Sequence, residues 1–411
     1  RATIDTKLDL AQTDFDLSFI GASKRAGAPG TAELKVDLAN GRATGIPRFS
    51  IDAQGFAVAG SAKFKGKENG LESLTIERLR SGLTDISIAA RSRDDGAYLV
   101  DVEGSALDAG QLLNRRRRDR ADGGAPPQDI GPLPPIIMRA KVDRIHFAAD
   151  RYVSNAVAEA EYRDDRWRRF VLNGTVGDGK SAAVRLVPNG TGQALSVVSA
   201  DAGATLRALD LFDTVIGGTL DIQGTIADDK PETPLQGVAT MTNFRVVKAP
   251  VMARILSLAS FTGIADVLSG ETGMAFHKAS MPFTYLNEVI GMRDGQAYGS
   301  GVGITVSGRF DIRNDRADLR GTLVPAYTLN SLIGRIPVIG PLIVGEKGSG
   351  VFAATYSVRG PLNGPEVSVN PLAALTPGFL RGLFSIFDTS PAEGGMNPPA
   401  PDNAEVINDS Y

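Results

Sequence analysis

The sequence contains no cysteine, only two histidines and a single tryptophan. Without Cys there are no disulfides, no thiolate metal sites and no cysteine nucleophile. His146 and His277 stand far apart, without the close pairing of a zinc site, and the expectation is neither metal nor cofactor. Charge of one sign is lacking too. The 44 Lys and Arg residues face 47 Asp and Glu, for a net charge of −3. Nucleic acid is not expected as a partner, because neutralising phosphates needs a basic face. No apolar run reaches the roughly 18 uncharged residues of a membrane-spanning helix. The chain opens at Arg1 with no basic-then-apolar leader. The expectation is therefore an internal or C-terminal piece of a longer protein, with any membrane anchor outside it.

What the chain has is glycine and alternation. Glycine numbers 47 of 411 residues, above the usual share of about 7%. In residues 31–38, Ala32, Leu34, Val36 and Leu38 alternate with Glu33, Lys35 and Asp37. Ile86, Ile88 and Ala90 alternate with Asp85, Ser87 and Arg91, and Leu220, Ile222 and Ile226 oppose Asp221, Gln223 and Thr225. The longest case sets Val302, Ile304, Val306, Phe310 and Ile312 against Thr305, Ser307, Arg309, Asp311 and Arg313. Period two means strands with one apolar and one wet face. Turn signals separate them at Asp94-Asp95-Gly96, Gly177-Asp178-Gly179, Asn189-Gly190 and Asn363-Gly364. The fold class predicted is mainly β, an antiparallel meander rather than alternating βαβ units.

Three segments interrupt the pattern. Residues 115–136, with Arg115 to Arg118 followed by five prolines, read as a solvated loop or linker. Residues 250–268 read as a helix opened by Pro250, apolar around most of its circumference and so largely buried. A short helix at 377–387 places Phe379, Leu380, Leu383, Phe384 and Phe387 on one face, and 390–411 reads as a disordered tail. These breaks suggest β segments at 1–114 and 137–230 and a C-terminal domain at 231–389. The stretch from Ala106 to Leu113 is echoed from Ala200 to Arg207, each containing Asp-Ala-Gly, as in a module used more than once.

Candidates for chemistry are few. Gly174, Gly179, Lys180 and Ser181 formally match a phosphate-binding loop, but such a loop needs a following helix whose N-terminus meets the anion. Residues 183–187 alternate as a strand instead, so a hairpin turn is expected there. Ser300, between two glycines, lacks the strand–turn–helix context of a nucleophile elbow. Trp167, among Arg166, Arg168 and Arg169, reads as a rim or interfacial residue. No enzymatic activity is expected.

An ordered series of motifs closes the chain. Asn243-Phe244-Arg245 precedes the apolar helix, followed by Met281-Pro282-Phe283, Gly308-Arg309-Phe310 and Leu323-Val324-Pro325. Then come Ile336-Pro337, Gly350-Val351-Phe352, Gly360-Pro361-Leu362, Asn370-Pro371-Leu372 and Pro377-Gly378-Phe379. In this order and spacing, residues 231–388 resemble the C-terminal region of the AsmA-like superfamily, the group containing AsmA, YhdP and TamB. The segment from Asp201 to Leu206 and that from Gly217 to Leu220 fit the region preceding it; residues 1–200 carry only a compatible strand texture.

The resemblance implies an elongated, twisted antiparallel β-sheet forming an open groove in the periplasm, with a few short helices near the C-terminus. It also implies an N-terminal inner-membrane anchor, reach toward the outer membrane, and phospholipid as cargo. The apolar parity of each strand is then expected to face acyl chains: Ile86, Ile88, Leu220, Ile222, Val302, Ile304, Val306, Phe310 and Ile312. Phe379, Leu380, Leu383, Phe384 and Phe387 are expected either to touch membrane, including outer membrane at the C-terminal end, or to cap the groove. On alternation alone, an ordinary sandwich core uses the same residues. A scaffold for outer-membrane protein assembly acting through strand edges, and more remotely a nucleoside triphosphatase using Lys180, are the rival functions.

Overall fold

The computed structural model describes residues 1–17, 22–65, 70–110, 133–228, 230, 232–258, 273–325 and 354–370. Two compact units divide the chain, Arg1–Ala373 and Ala374–Tyr411. The second unit lies outside the described residues, as do the expected helix at 377–387 and the tail at 390–411.

The described part is built almost wholly of strands. The first group is β1 (Ala2–Asp9), β2 (Phe15–Leu17), β3 (Ala22–Lys24), β4 (Gly30–Ala39), β5 (Arg42–Ala53), β6 (Phe56–Phe64), β7 (Leu71–Ser81), β8 (Thr84–Ser92) and β9 (Tyr98–Asp108). A second group comprises β10 (Ile136–Ala148), β11 (Arg151–Arg163), β12 (Arg166–Val176), β13 (Lys180–Asn189) and β14 (Gly192–Ser199). The helix α1 (Ala202–Ala208) follows, then β15 (Val215–Ile216), β16 (Thr219–Ile226) and β17 (Leu235–Val246). After α2 (Pro250–Leu258) come β18 (Met274–Leu286), β19 (Val289–Gly299), β20 (Val302–Asp311), β21 (Arg316–Pro325), β22 (Ala354–Pro361) and β23 (Glu366–Asn370).

Apart from the β2–β3 hairpin, these strands form one open sheet of 21 strands. Its ladder follows the chain, from β1 on β4 through consecutive hairpins to β9, and from β10 onward to β23. The mainly-β, open-groove architecture is thus the observed one. Adjoining strands rotate against one another by roughly 20–25°, so so many in one sheet must twist strongly.

One joint departs from the meander: β9 and β10 pair in parallel, Tyr98 beside Ile136 and Asp108 beside His146. Parallel neighbours require a crossover of about a dozen residues or more, and the Arg- and Pro-rich stretch between Asp108 and Ile136 is long enough. Alternation reports which face a side chain takes, not strand direction, so the sequence pattern is silent on this joint. Residues 111–132 lie outside the described part. Hydrogen bonding is continuous there and again from β16 to β17, the two places where the sequence suggested segment boundaries.

Local chemistry accounts for the turns and kinks. Two-residue hairpin turns of type I′ need positive φ at both central positions, and Asn40-Gly41, Asp164-Asp165 and Asn287-Glu288 have it. Pro47 and Pro282 sit inside strands only where the ladder slips, between Ile46 and Phe49 and between Ser280 and Phe283. The predicted helix begins at Pro250 and is seen to Leu258; residues 259–268 lie outside the described part. Among the described residues, no helix is long and apolar enough to cross a membrane.

The Asp-Ala-Gly echo has a structural counterpart. Asp201 caps α1, its carboxylate accepting from the Ala204 amide at 2.9 Å. A helical turn likewise starts at Ala109–Gly110, just after Asp108. Both glycines lie against backbone: a Cβ on Gly203 would stand 2.6 Å from the Val215 carbonyl oxygen, and one on Gly110 2.3 Å from that of Phe147. Only glycine lets either turn lie so close to a strand.

Candidate functional site: an uninterrupted apolar face

Residues directly opposite in a ladder share a face. Following the registers, one row runs Ile46, Ala62, Leu74, Ala90, Val100, Met138, Ala160, Phe170, Leu186 and Leu195. It continues through Gly224, Gly237, Phe283, Met292, Gly308, Leu319, Val358 and Val367. From β5 to β23 no polar side chain enters it. With neighbouring strands about 4.8 Å apart, such a row is roughly 80 Å long. A parallel row holds Ile88, Val102, Ala140, Ala158, Leu172, Val184, Val197, Ile222, Ala239 and Met281.

The opposite face is wet. Glu33 meets Lys7 at 3.0 Å and Arg48 at 3.6 Å, and Arg78 grips both oxygens of Asp85 at 3.0 and 2.8 Å. The Lys7 hydrogen bond holds the Glu33 carboxyl below its usual range, and the Arg78 hydrogen bond does the same for Asp85. Arg169–Glu159 and Arg359–Asp318 are further pairs of this kind.

The apolar face is not uniform. The β2–β3 hairpin, the turn at Ala109–Gly110, α1 and α2 all leave the sheet from one edge, since β1, β9, β14 and β17 end there. Apolar side chains near that edge are covered. Phe15 sets its ring edge-on to Phe56 at 6.1 Å, in a cluster with Leu79, Ile86 and Val102. The helix α1 packs Ala204 and Ala208 with Val153 and Val176. At the other end of the sheet, Ile255 and Leu256 of α2 join Phe244, Phe276, Val302, Ile304 and Leu323, with the rings of Phe244 and Phe276 stacked at 5.3 Å. Leu256 and Val302 are 0% exposed and Leu323 1%. Toward the opposite edge, where connections are short, Val100, Met138, Phe170, Leu186, Leu195, Phe283 and Met292 are only half-buried. The face therefore has a covered lane and an open lane.

The nine residues expected to meet acyl chains all lie on this face or, for Ile312, just past the end of β20. They divide between the lanes. Ile86, Leu220, Val302 and Ile304 are buried; Ile88, Ile222, Val306, Phe310 and Ile312 are half-buried. Sequence reasoning named none of the open-lane residues of β10 to β14, although Val184 and Leu186 alternate with Arg185 as clearly as the strands that were named. Phe379, Leu380, Leu383, Phe384 and Phe387 lie outside the described residues.

No family model matches the sequence, and neither a curated protein nor a solved structure shows significant similarity to it.

The remaining motifs resolve plainly. Val176 pairs with Lys180 across the Gly177–Gly179 turn, so the phosphate-loop pattern is a β12–β13 hairpin with no helix after it. His146 is buried beside Tyr152, ring centroids 5.3 Å apart, and its Nδ1 has no partner among the described residues. His277 stands 6.2 Å from the Tyr298 ring. Among the described residues no three His, Asp or Glu side chains converge on a metal-sized site.

Proposed function

We propose that this chain is part of a bridge-like lipid-transfer protein of the AsmA-like kind, carrying phospholipid between inner and outer membranes of a cell envelope. The observation that carries the reading is the row without a polar side chain from β5 to β23, half-exposed along the open lane. Exposing an acyl chain of about sixteen carbons to water costs on the order of 12 kcal/mol, at ~0.8 kcal/mol per methylene. A continuous apolar surface removes most of that cost. Because apolar contact is non-directional, a chain finds similar affinity at each strand and slides without a deep trap. Such a conduit needs no catalytic group and no cofactor. In this reading the protein works in the periplasm, tethered to the inner membrane as proteins of the AsmA-like kind are. Residues 379–387 approach the outer membrane.

The test is extraction. The purified chain should carry phospholipid identifiable by mass spectrometry. Recovery of lipid-free protein that also fails to take up phospholipid from vesicles would sink the proposal.

A second reading has one observation in its favour. On the side of β1 away from β4 no described strand pairs, and β1 contains neither proline nor bulge, so its backbone is ready to template another chain. A scaffold for outer-membrane strands would use that edge and leave the open lane empty.

A further inference from the structure

The only tryptophan of the chain lies on the rim of the open lane. Trp167 follows the Asp164-Asp165 turn and pairs with Tyr162 across the β11–β12 ladder, where a bulge between Glu161 and Tyr162 turns its side chain to the apolar face. Its ring meets Tyr162 edge-on at 5.2 Å and Phe170 at 6.4 Å. Phe170 is itself a member of the long row, between Ala160 and Leu186, so the three aromatics join the lane to its rim without a break. The bulge is pinned, because the Gln193 amide donates to the Trp167 and Arg168 carbonyls at 2.9 and 3.1 Å. Trp167 is 44% exposed, and its indole N–H donates to no described residue. Arg168, held by Asp164 at 2.9 Å, and Arg169, 3.8 Å from Glu159, flank it.

An indole with its ring on hydrocarbon and its N–H in the wet zone suits the boundary between acyl chain and headgroup. We propose that Trp167, Tyr162 and Phe170 form a ledge that seats the ester region of a diacyl glycerophospholipid. The indole N–H donates to an ester or phosphate oxygen while the acyl chains lie across Phe170 and Leu186. This rests on the lipid-conduit reading and adds to it a defined station at mid-sheet, where the headgroup stays outside the lane.

A lone tryptophan makes the test direct. The whole chain is titrated with phosphatidylcholine brominated on its acyl chains, Trp167 emission is followed, and bound lipid is counted separately by native mass spectrometry. The expected result is a blue shift with quenching that saturates as lipid binds. Trp167→Phe, which keeps a ring and loses the N–H, should bind phospholipid about three- to tenfold more weakly with unchanged thermal unfolding. A brominated fatty acid, which lacks the glycerol esters, should show no such loss on substitution. Lipid bound with emission unmoved, or Trp167→Phe binding as tightly as the parent, overturns the ledge and leaves the conduit standing. No lipid bound at all overturns both.

Discussion

Ile304 and Val306 are two residues apart on one face of one strand, yet Ile304 is buried and Val306 half-exposed. Alternation assigns both to the same face and stops there; the difference comes from α2, whose Ile255 and Leu256 share a cluster with Ile304. That contrast separates packing from binding. Val302→Asp puts an unpaired charge into a fully covered site and should cost more than about 4 kcal/mol, read as loss of the cooperative melt. Ile222→Glu, on the open lane, should cost less than about 2 kcal/mol while abolishing phospholipid uptake. Lipid uptake surviving Ile222→Glu would remove that strand from the path. Tyr356 sets a pH limit. Burial pushes its hydroxyl well above the ordinary value near 10, while the hydroxyl donates to the Thr305 carbonyl at 2.8 Å. A raised pKa means the contribution is intact below about pH 10 and lost as pH rises beyond it. Melting temperature measured against pH should fall on the alkaline side, and less steeply in Tyr356→Phe.

At the scale of elements, β4, β8, β16 and β20 fall where alternation places them, because each has one wet face and one apolar face. The turns at Gly96, Gly177–Gly179 and Gly190 were legible for a local reason, positive φ at glycine, whereas those at Asn40-Gly41, Asp164-Asp165 and Asn287-Glu288 were not named from the sequence. The parallel joint of β9 and β10 was not legible, since it depends on where a long connection delivers the chain. Nor was the covered lane, because what lies over a strand is a tertiary fact. The helices are light in sequence and decisive in position. Leu256→Ala should cost about 2–5 kcal/mol, since the side chain is wholly enclosed. Asp201→Ala should cost about 1 kcal/mol through loss of the α1 cap. Both are readable by denaturant titration. Equal costs would contradict the view that α2 is part of the core and α1 a lighter cover.

At the scale of the described sheet, too large for a single closed core, the ion pairs gather on one face and the long apolar row runs along the other. One face is solvated by exposed ion pairs that add little stability. The other is sealed along one edge and open along the other. In the proposed conduit, the row of about 80 Å is longer than the roughly 30 Å hydrocarbon core of one bilayer, as passage between two membranes requires. The most direct measurement places a photo-activated cross-linker in turn at Val100, Leu186 and Met292, spread along the row, and at Val198 and Val238 on the outer face. Mixed with phospholipid vesicles, the first three should each yield phospholipid adducts and the last two none. Capture as strong from the outer face, or from a single row position only, would contradict a continuous lipid path.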